Sequence, residues 1–218
     1  MNSKKRFFLG LIFTPILVLI IFLKFDFEGL RNAFARTDPW LLIAAGFLLL
    51  PPFFLSAWRW KKNIEILGVK SRFRDVFLTF LANFPAAKIS PGNSGDFIRS
   101  YLLKHKLPLG QSIGCVFAER IIDIYVLALI SLIANVFIQN KMAIFLDLGL
   151  IAASVFFLLF SKKIKLRKKG TLGQNIDHFF NFFEILSKNP KTFLAITAYT
   201  TISWLFVFVS VKLTFMAV

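Results

Sequence analysis

The chain has one cysteine, Cys115, and two histidines, His105 and His178, in 218 residues. A lone thiol closes no intramolecular disulfide. The histidines sit in unrelated segments without cysteine or carboxylate at ligand spacing, so the residues offer no metal set. Acids are also scarce, 11 against 27 Lys and Arg, leaving a formal net charge of +16. Such a balance first suggests nucleic acid, but the basic residues lie between apolar runs and form no soluble basic face. No G-x-x-x-x-G-K-[ST] loop, H-E-x-x-H or G-x-S-x-G pattern occurs, which argues against ATP hydrolysis, zinc proteolysis and serine hydrolysis; no cofactor is implied.

What is abundant is apolar: 57% of residues are hydrophobic and the mean hydropathy is +0.70. A water-soluble core does not need that proportion. A bilayer does, through helices of about 20 mainly apolar residues. The sequence therefore predicts an all-α, polytopic transmembrane helix bundle forming one domain over 1–218. Spans are expected at about 7–23, 40–58, 112–137, 142–160 and 192–217. Lys4, Lys5 and Arg6 before the first run could head a signal peptide, but no small-residue cleavage site follows, so 7–23 reads as a retained span. Pro51 and Pro52 should kink the second span, and Trp40, Trp58 and Trp60 are placed like an interfacial aromatic belt.

The apolar run 76–87 spans about 18 Å as a helix, short of a crossing. A turn-rich stretch from Lys88 to Gly95 follows, then a short apolar piece to Leu103. The expected arrangement is a re-entrant pair of short helices over about 76–103 that enters and leaves on one face, with its Pro-Gly tip in protein or a wet cavity. Charges agree with it. With the N-terminus cytoplasmic, the clusters Arg59 to Arg74, Lys104 with Lys106, and Lys162 to Lys169 all fall inside, as the excess of Lys and Arg in cytoplasmic loops requires. A single crossing at 76–103 would put the last cluster outside. Gln174, Asp177, His178, Asn181, Glu184 and Lys188 recur at helical spacing, so about 174–188 reads as an interfacial amphipathic helix; a helix packed under the bundle fits the pattern equally.

Ionisable residues inside spans are costly, about 2.5 to 3.5 kcal/mol each at the bilayer centre on insertion scales, and mark function or a partner. Glu119, Arg120 and Asp123 stand out. Glu119 and Asp123 share a helix face, Arg120 and Asp123 can pair, and the trio is left with one negative charge, which Lys88 or Arg99 should approach. Asp96 or Ser94 can cap a new helix whose free N–H groups, with Lys88 and Arg99, could hold a lipid phosphate. A plain turn, with Asp96 paired to Arg99, fits as well.

The run Trp58-Arg59, Ser90-Pro91-Gly92, Gly95-Asp96, Arg99, Leu102-Leu103, Ala118-Glu119-Arg120 and Asp123 resembles the lysylphosphatidylglycerol synthase transmembrane region, also called the flippase-like domain family, closely over about 40–138. The resemblance implies a membrane protein of the cytoplasmic (inner) membrane of a prokaryote that binds or translocates an anionic phospholipid or an isoprenoid-linked sugar. It also implies Pro91, Gly92, Gly95, Asp96, Arg99, Glu119, Arg120 and Asp123, with Lys88 beside them, as the substrate-binding set. The family's usual chain is longer, with a second Pro-Gly-Gly-type motif, and full lysyl-lipid synthases carry a soluble aminoacyl-transfer domain; neither is found in these residues. Two other roles stay open: an accessory or scaffold for a separately encoded glycosyltransferase, and a membrane-embedded transferase using Glu119 or Asp123 as base.

Overall fold

The computed structural model describes residues 26–90, 95–161 and 170–217. The expected first span at 7–23, the tip residues Pro91 and Gly92, and the basic cluster 162–169 lie outside the described residues. The rest is helical, with no strand among the described residues. In chain order the helices are α1 (Phe27–Arg36), α2 (Pro39–Leu48), α3 (Leu50–Glu65), α4 (Phe73–Ile89), α5 (Phe97–Leu102), α6 (Leu109–Ile138), α7 (Lys141–Ser161), α8 (Thr171–Ser187) and α9 (Pro190–Ala217).

Among the described residues, four stretches are long and apolar enough to cross a membrane: Pro39–Glu65, Leu109–Ile138, Lys141–Ser161 and Pro190–Ala217. They match the expected spans at 40–58, 112–137, 142–160 and 192–217. Their outward faces carry large apolar side chains, among them Phe137, 84% exposed, and Phe145, 78% exposed, a surface that only an apolar solvent accommodates. The chain is a multi-pass membrane protein.

Local chemistry explains where the helices break. Pro51 and Pro52 have no N–H to give to the preceding turn, so the first long stretch is interrupted at Leu49, between α2 and α3. Between α6 and α7 the reversal takes two residues: Gln139 adopts a left-handed φ of 59°, and the Asn140 side chain caps α7 by accepting from the Ala143 N–H at 3.2 Å. Between the expected spans at 7–23 and 40–58 lies α1, capped by the Asp26 carboxylate, which accepts from the Gly29 N–H at 2.8 Å.

Among the described residues, those within 46–210 form one compact part, and 26–45 with 211–217 form another. In the smaller part, the Asp38 N–H donates to the Ala217 carbonyl at 2.9 Å. In the larger part α6 is the hub: α3, α5, α7 and α8 all pack against it. The close approach of α8 comes from Gly110 and Gly114, one turn apart on α6. A Cβ on Gly110 would overlap the Asn175 carbonyl, and one on Gly114 would come within 2.9 Å of the Phe179 carbonyl. Small residues four apart let backbones meet where lipid gives helices no hydrophobic reason to associate. Phe182, Phe183 and Leu186 of α8 are buried in the resulting core with Val116, Ile122 and Ile196. Its apolar face is therefore covered, as the packing alternative for that stripe required.

Two expectations need correction. Trp60 is not part of an aromatic belt: it is 1% exposed, with the Arg99 guanidinium 4.4 Å from its ring centroid, whereas Trp40 is well exposed. The first helix of the short pair is also longer than its apolar run. It takes in Phe73 to Ile89, 17 residues and about 26 Å, because Arg74 and Asp75 fit the solvated first turn and Pro85 interrupts only one backbone bond.

Replacing Gly110 or Gly114 with Leu should remove at least about 1 to 3 kcal/mol by overpacking against α8 backbone. Gly149→Ala, with open space around its Cβ position, should leave the melting temperature in detergent unchanged or slightly raised. Equal melting of all three variants would contradict this account of the α6–α8 contact.

Candidate functional site

Glu119 is at the centre of the site, fully buried in the N-terminal half of α6. Its carboxylate accepts from Arg99 on α5 at 2.5 Å and from the Asn63 amide on α3 at 3.1 Å, with Arg59 of α3 at 3.6 Å. One turn along α6, Asp123 accepts from Arg59 at 2.6 Å and pairs with Arg120 at 3.3 Å. Arg59 also donates to the Thr200 hydroxyl of α9 at 2.9 Å. Asp96, just before α5, pairs with Arg120 at 2.9 Å, lies 3.9 Å from Arg99, and accepts from the Asn83 amide of α4 at 3.3 Å.

Three guanidinium groups therefore meet three carboxylates, and the network is formally neutral. The negative charge left on Glu119, Arg120 and Asp123 is met by Arg99, as expected for one of two candidates, and by Arg59, which was read as part of a cytoplasmic basic cluster. Arg59 is 6% exposed and belongs to the interior. Nothing local in the sequence marks it, since its acids lie some 60 residues on along the chain, although the Trp58-Arg59 pair of the motif contained it.

The network has a dry half and an accessible half. Arg99 and Glu119 have side chains 1% and 0% exposed, whereas Arg120 is 36% exposed and Asp96 11%. Buried pairs and exposed pairs differ in what they do. Removing one partner of a buried pair strands a charge at a cost of about 3 to 5 kcal/mol, and an exposed pair is worth about 0 to 1 kcal/mol. Arg99 and Glu119 accordingly join α5 to α6, and the Arg120 pairs, with a partly exposed cation and largely buried carboxylates, lie between the two limits.

Beside the accessible half is a cavity of about 450 Å³. Its lining combines the apolar side chains of Leu49, Pro52, Phe53, Phe84, Trp204 and Val207 with the polar ones of Arg59, Asp96, Arg120, Asp123, Asn83 and Lys88. Of the predicted set, then, Lys88, Asp96, Arg120 and Asp123 line the cavity, while Arg99 and Glu119 stand behind it. Gly95 holds the short pair together: a Cβ there would collide with the Ala86 and Ala87 backbone, and its N–H donates to the Ser90 hydroxyl at 2.6 Å. Pro91, Gly92 and the alternative cap Ser94 lie outside the described residues. Asp96 precedes α5, yet makes no side-chain cap there; its carboxylate is taken up by Arg120 and Asn83. Among the described residues no group of three His, Cys, Asp or Glu side chains could hold a metal.

The sequence pattern described as the lysylphosphatidylglycerol synthase TM region matches residues 7–218. The chain belongs to that family. The resemblance read on residues 40–138 thus extends over almost the whole length. A UPF0104 membrane protein of Methanocaldococcus jannaschii is 30% identical over 118 residues, which is 52% of this chain and 35% of that protein, so the match takes in about a third of the relative's length. No solved structure matches the chain significantly. In this family member, the charged motif positions Arg59, Asp96, Arg99, Glu119, Arg120 and Asp123 together make up the ion network.

Arg99→Leu and Glu119→Leu should each lower unfolding free energy by about 3 to 5 kcal/mol, by stranding the opposite charge. The double variant, which leaves Arg59 with Asp123 and Arg120 with Asp96, should lose less than either single change. Thermal melting of the four proteins in detergent checks this, and additive losses would contradict it.

Proposed function

We propose that this protein is flippase-like and that its cavity binds, and in transport passes, the headgroup of an anionic phospholipid or lipid-linked glycan. The observation that carries the reading is the cavity itself, whose lining joins charged and hydrogen-bonding groups with aromatic and aliphatic side chains, within a bundle whose outer face suits lipid. A headgroup with a chain attached presents the same combination. The family membership supports it at the level of lipid-associated membrane proteins.

On this reading the short pair α4 and α5 dips into the bilayer from the cytoplasmic face and returns. The N-terminus is cytoplasmic and the membrane is the inner membrane of a prokaryote, a topology supported by the distribution of Lys and Arg. α8 then lies near the interface, beside the basic segment that precedes it, where each charge adds about 1 kcal/mol of attraction to anionic lipid. Arg120 is the natural group for the headgroup phosphate, because its side chain is 36% exposed and lines the cavity.

The accessory reading also has an observation in its favour, the closure of all three arginines on carboxylates of the same chain. A network so satisfied can simply pin helices.

Native mass spectrometry of the purified chain separates the two. Wild type should retain anionic lipid over phosphatidylcholine, and Ser203→Trp, which fills the cavity, should lose that lipid with its melting temperature kept within a few degrees. The same lipids on both proteins would favour the accessory role, whose own signature is lowered activity of a co-purifying glycosyltransferase when this chain is deleted.

A further inference from the structure

Glu119, Asp123 and Asp96 are each paired with a guanidinium. Asp147 is not. It is 6% exposed on α7, and among the described residues it makes no ion pair. It lies six residues, about 9 Å, past Lys141 at the start of a helix apolar enough to cross a membrane. Its chain neighbours Phe145, Leu146 and Leu148 are turned outward, as are Val136, Phe137 and Ile138 on the facing stretch of α6. The acid therefore points inward at a level where the outer surface meets lipid, the setting in which an ionisable side chain needs a partner.

Its described partner is an amide. The Asn135 Nδ2 of α6 donates to Asp147 Oδ2 at 2.8 Å and to the Ser131 hydroxyl at 3.1 Å. Asp147 Oδ1 has no hydrogen-bond partner among the described residues, and it keeps some accessible surface, unlike sealed unbonded atoms such as Asn63 Oδ1 and Ser112 Oγ. An amide suits two states of an acid. Its nitrogen donates to a bare carboxylate; turned over, its oxygen accepts from a carboxylic acid or faces a metal cation. A guanidinium serves the bare carboxylate alone.

The surroundings supply no other compensating charge. α6 and α8 are the helices packed on α7. On α6 the charged group nearest to Asn135 along the chain is Asp123, twelve residues and about 18 Å away, itself held by Arg59 and Arg120. α8 meets α7 at Phe157, where Phe183 packs against it, ten residues and about 15 Å past Asp147; its Asp177, His178 and Glu184 belong to that helix. Lys141 on α7 itself is exposed and makes no pair with Asp147.

We propose that Asp147, with Asn135 and the Ser131 hydroxyl beside it, is the binding site of a monovalent cation, a proton or a sodium ion, taken up at the end of the bundle that carries the α6–α7 turn. The site lacks one positive charge, and Oδ1 is the atom that receives it. A divalent ion would be left with a charge unmatched and with too few oxygens, since among the described residues no three His, Cys, Asp or Glu side chains come together. The inference is independent of the lipid-binding reading, whose cavity is bordered by Asp123 further along α6.

The experiment uses the full chain in phospholipid nanodiscs at neutral pH. If the occupant is sodium, replacing choline chloride with sodium chloride at equal ionic strength raises the melting temperature by several degrees, as a ligand of the folded state alone must, and Asp147→Asn removes the rise. If it is a proton, the infrared spectrum in sodium-free buffer contains the C=O stretch of a carboxylic acid, shifted by deuterium exchange, and Asp147→Asn removes that band. Asn135→Leu keeps the acid and takes away the amide. It should lower the apparent sodium affinity roughly tenfold, the size of losing one hydrogen-bond partner of a charged group, or move the carbonyl band to higher frequency. Wild type showing neither signature overturns the proposal without recourse to any variant, and so does either signature persisting in Asp147→Asn.

Discussion

A charge placed among apolar helices must find its opposite, and this requirement organises the larger compact part of the molecule. Six ionised side chains from α3, α5, α6 and the turn before α5 are within ion-pair distance of one another. Thr200 of α9 and the amides of Asn63 and Asn83 complete their hydrogen bonds. Uncompensated, each charge costs about 2.5 to 3.5 kcal/mol at the centre of a bilayer. Together they are neutral, so what is expensive singly becomes a set of constraints fixing which helices are neighbours. Apolar packing alone is less selective in lipid, where leucine meets hydrocarbon as readily as it meets another helix.

The arrangement has a functional side. The dry pair of Arg99 and Glu119, with Trp60 against the guanidinium, holds the short α5 onto the hub helix. The pairs of Arg120, whose side chain is 36% exposed, line the cavity. One network thus has a fully buried part and a partly exposed part, and the charged residues of the motif are divided between them. Small residues finish the frame: Gly110 and Gly114 admit α8, and Gly95 folds the short pair on itself.

Much of this was legible in the sequence, for physical reasons that also explain what was not. The spans could be read because twenty apolar residues in a row have few other uses, and the cluster Glu119, Arg120 and Asp123 because charges inside such a run are rare. Its need for a cation followed from counting, and Arg99 answers it. Arg59 escaped because it adjoins lysines at a helix end and looks like part of a topology signal; only the folded distance to Asp123 shows otherwise. Trp60 was misplaced for the same reason, since a tryptophan near a span end reads as interfacial whether or not a guanidinium covers it. The helix α1 was missed although Asp26 is a good cap and Arg36 suits its last turn. The Gly110 and Gly114 contact went unread, because glycines four apart do not name the helix that meets them.

The central claim is that the ion network borders a polar cavity inside the bundle that is reached from water. Cysteine accessibility in native membranes tests it most directly, in a Cys115→Ala background, with a hydrophilic methanethiosulfonate offered to Ser56→Cys, Ser203→Cys and, as a lipid-facing control, Val155→Cys. The account predicts modification of the two cavity positions and none at Val155→Cys. Protection of both cavity positions to the level of the control would contradict it.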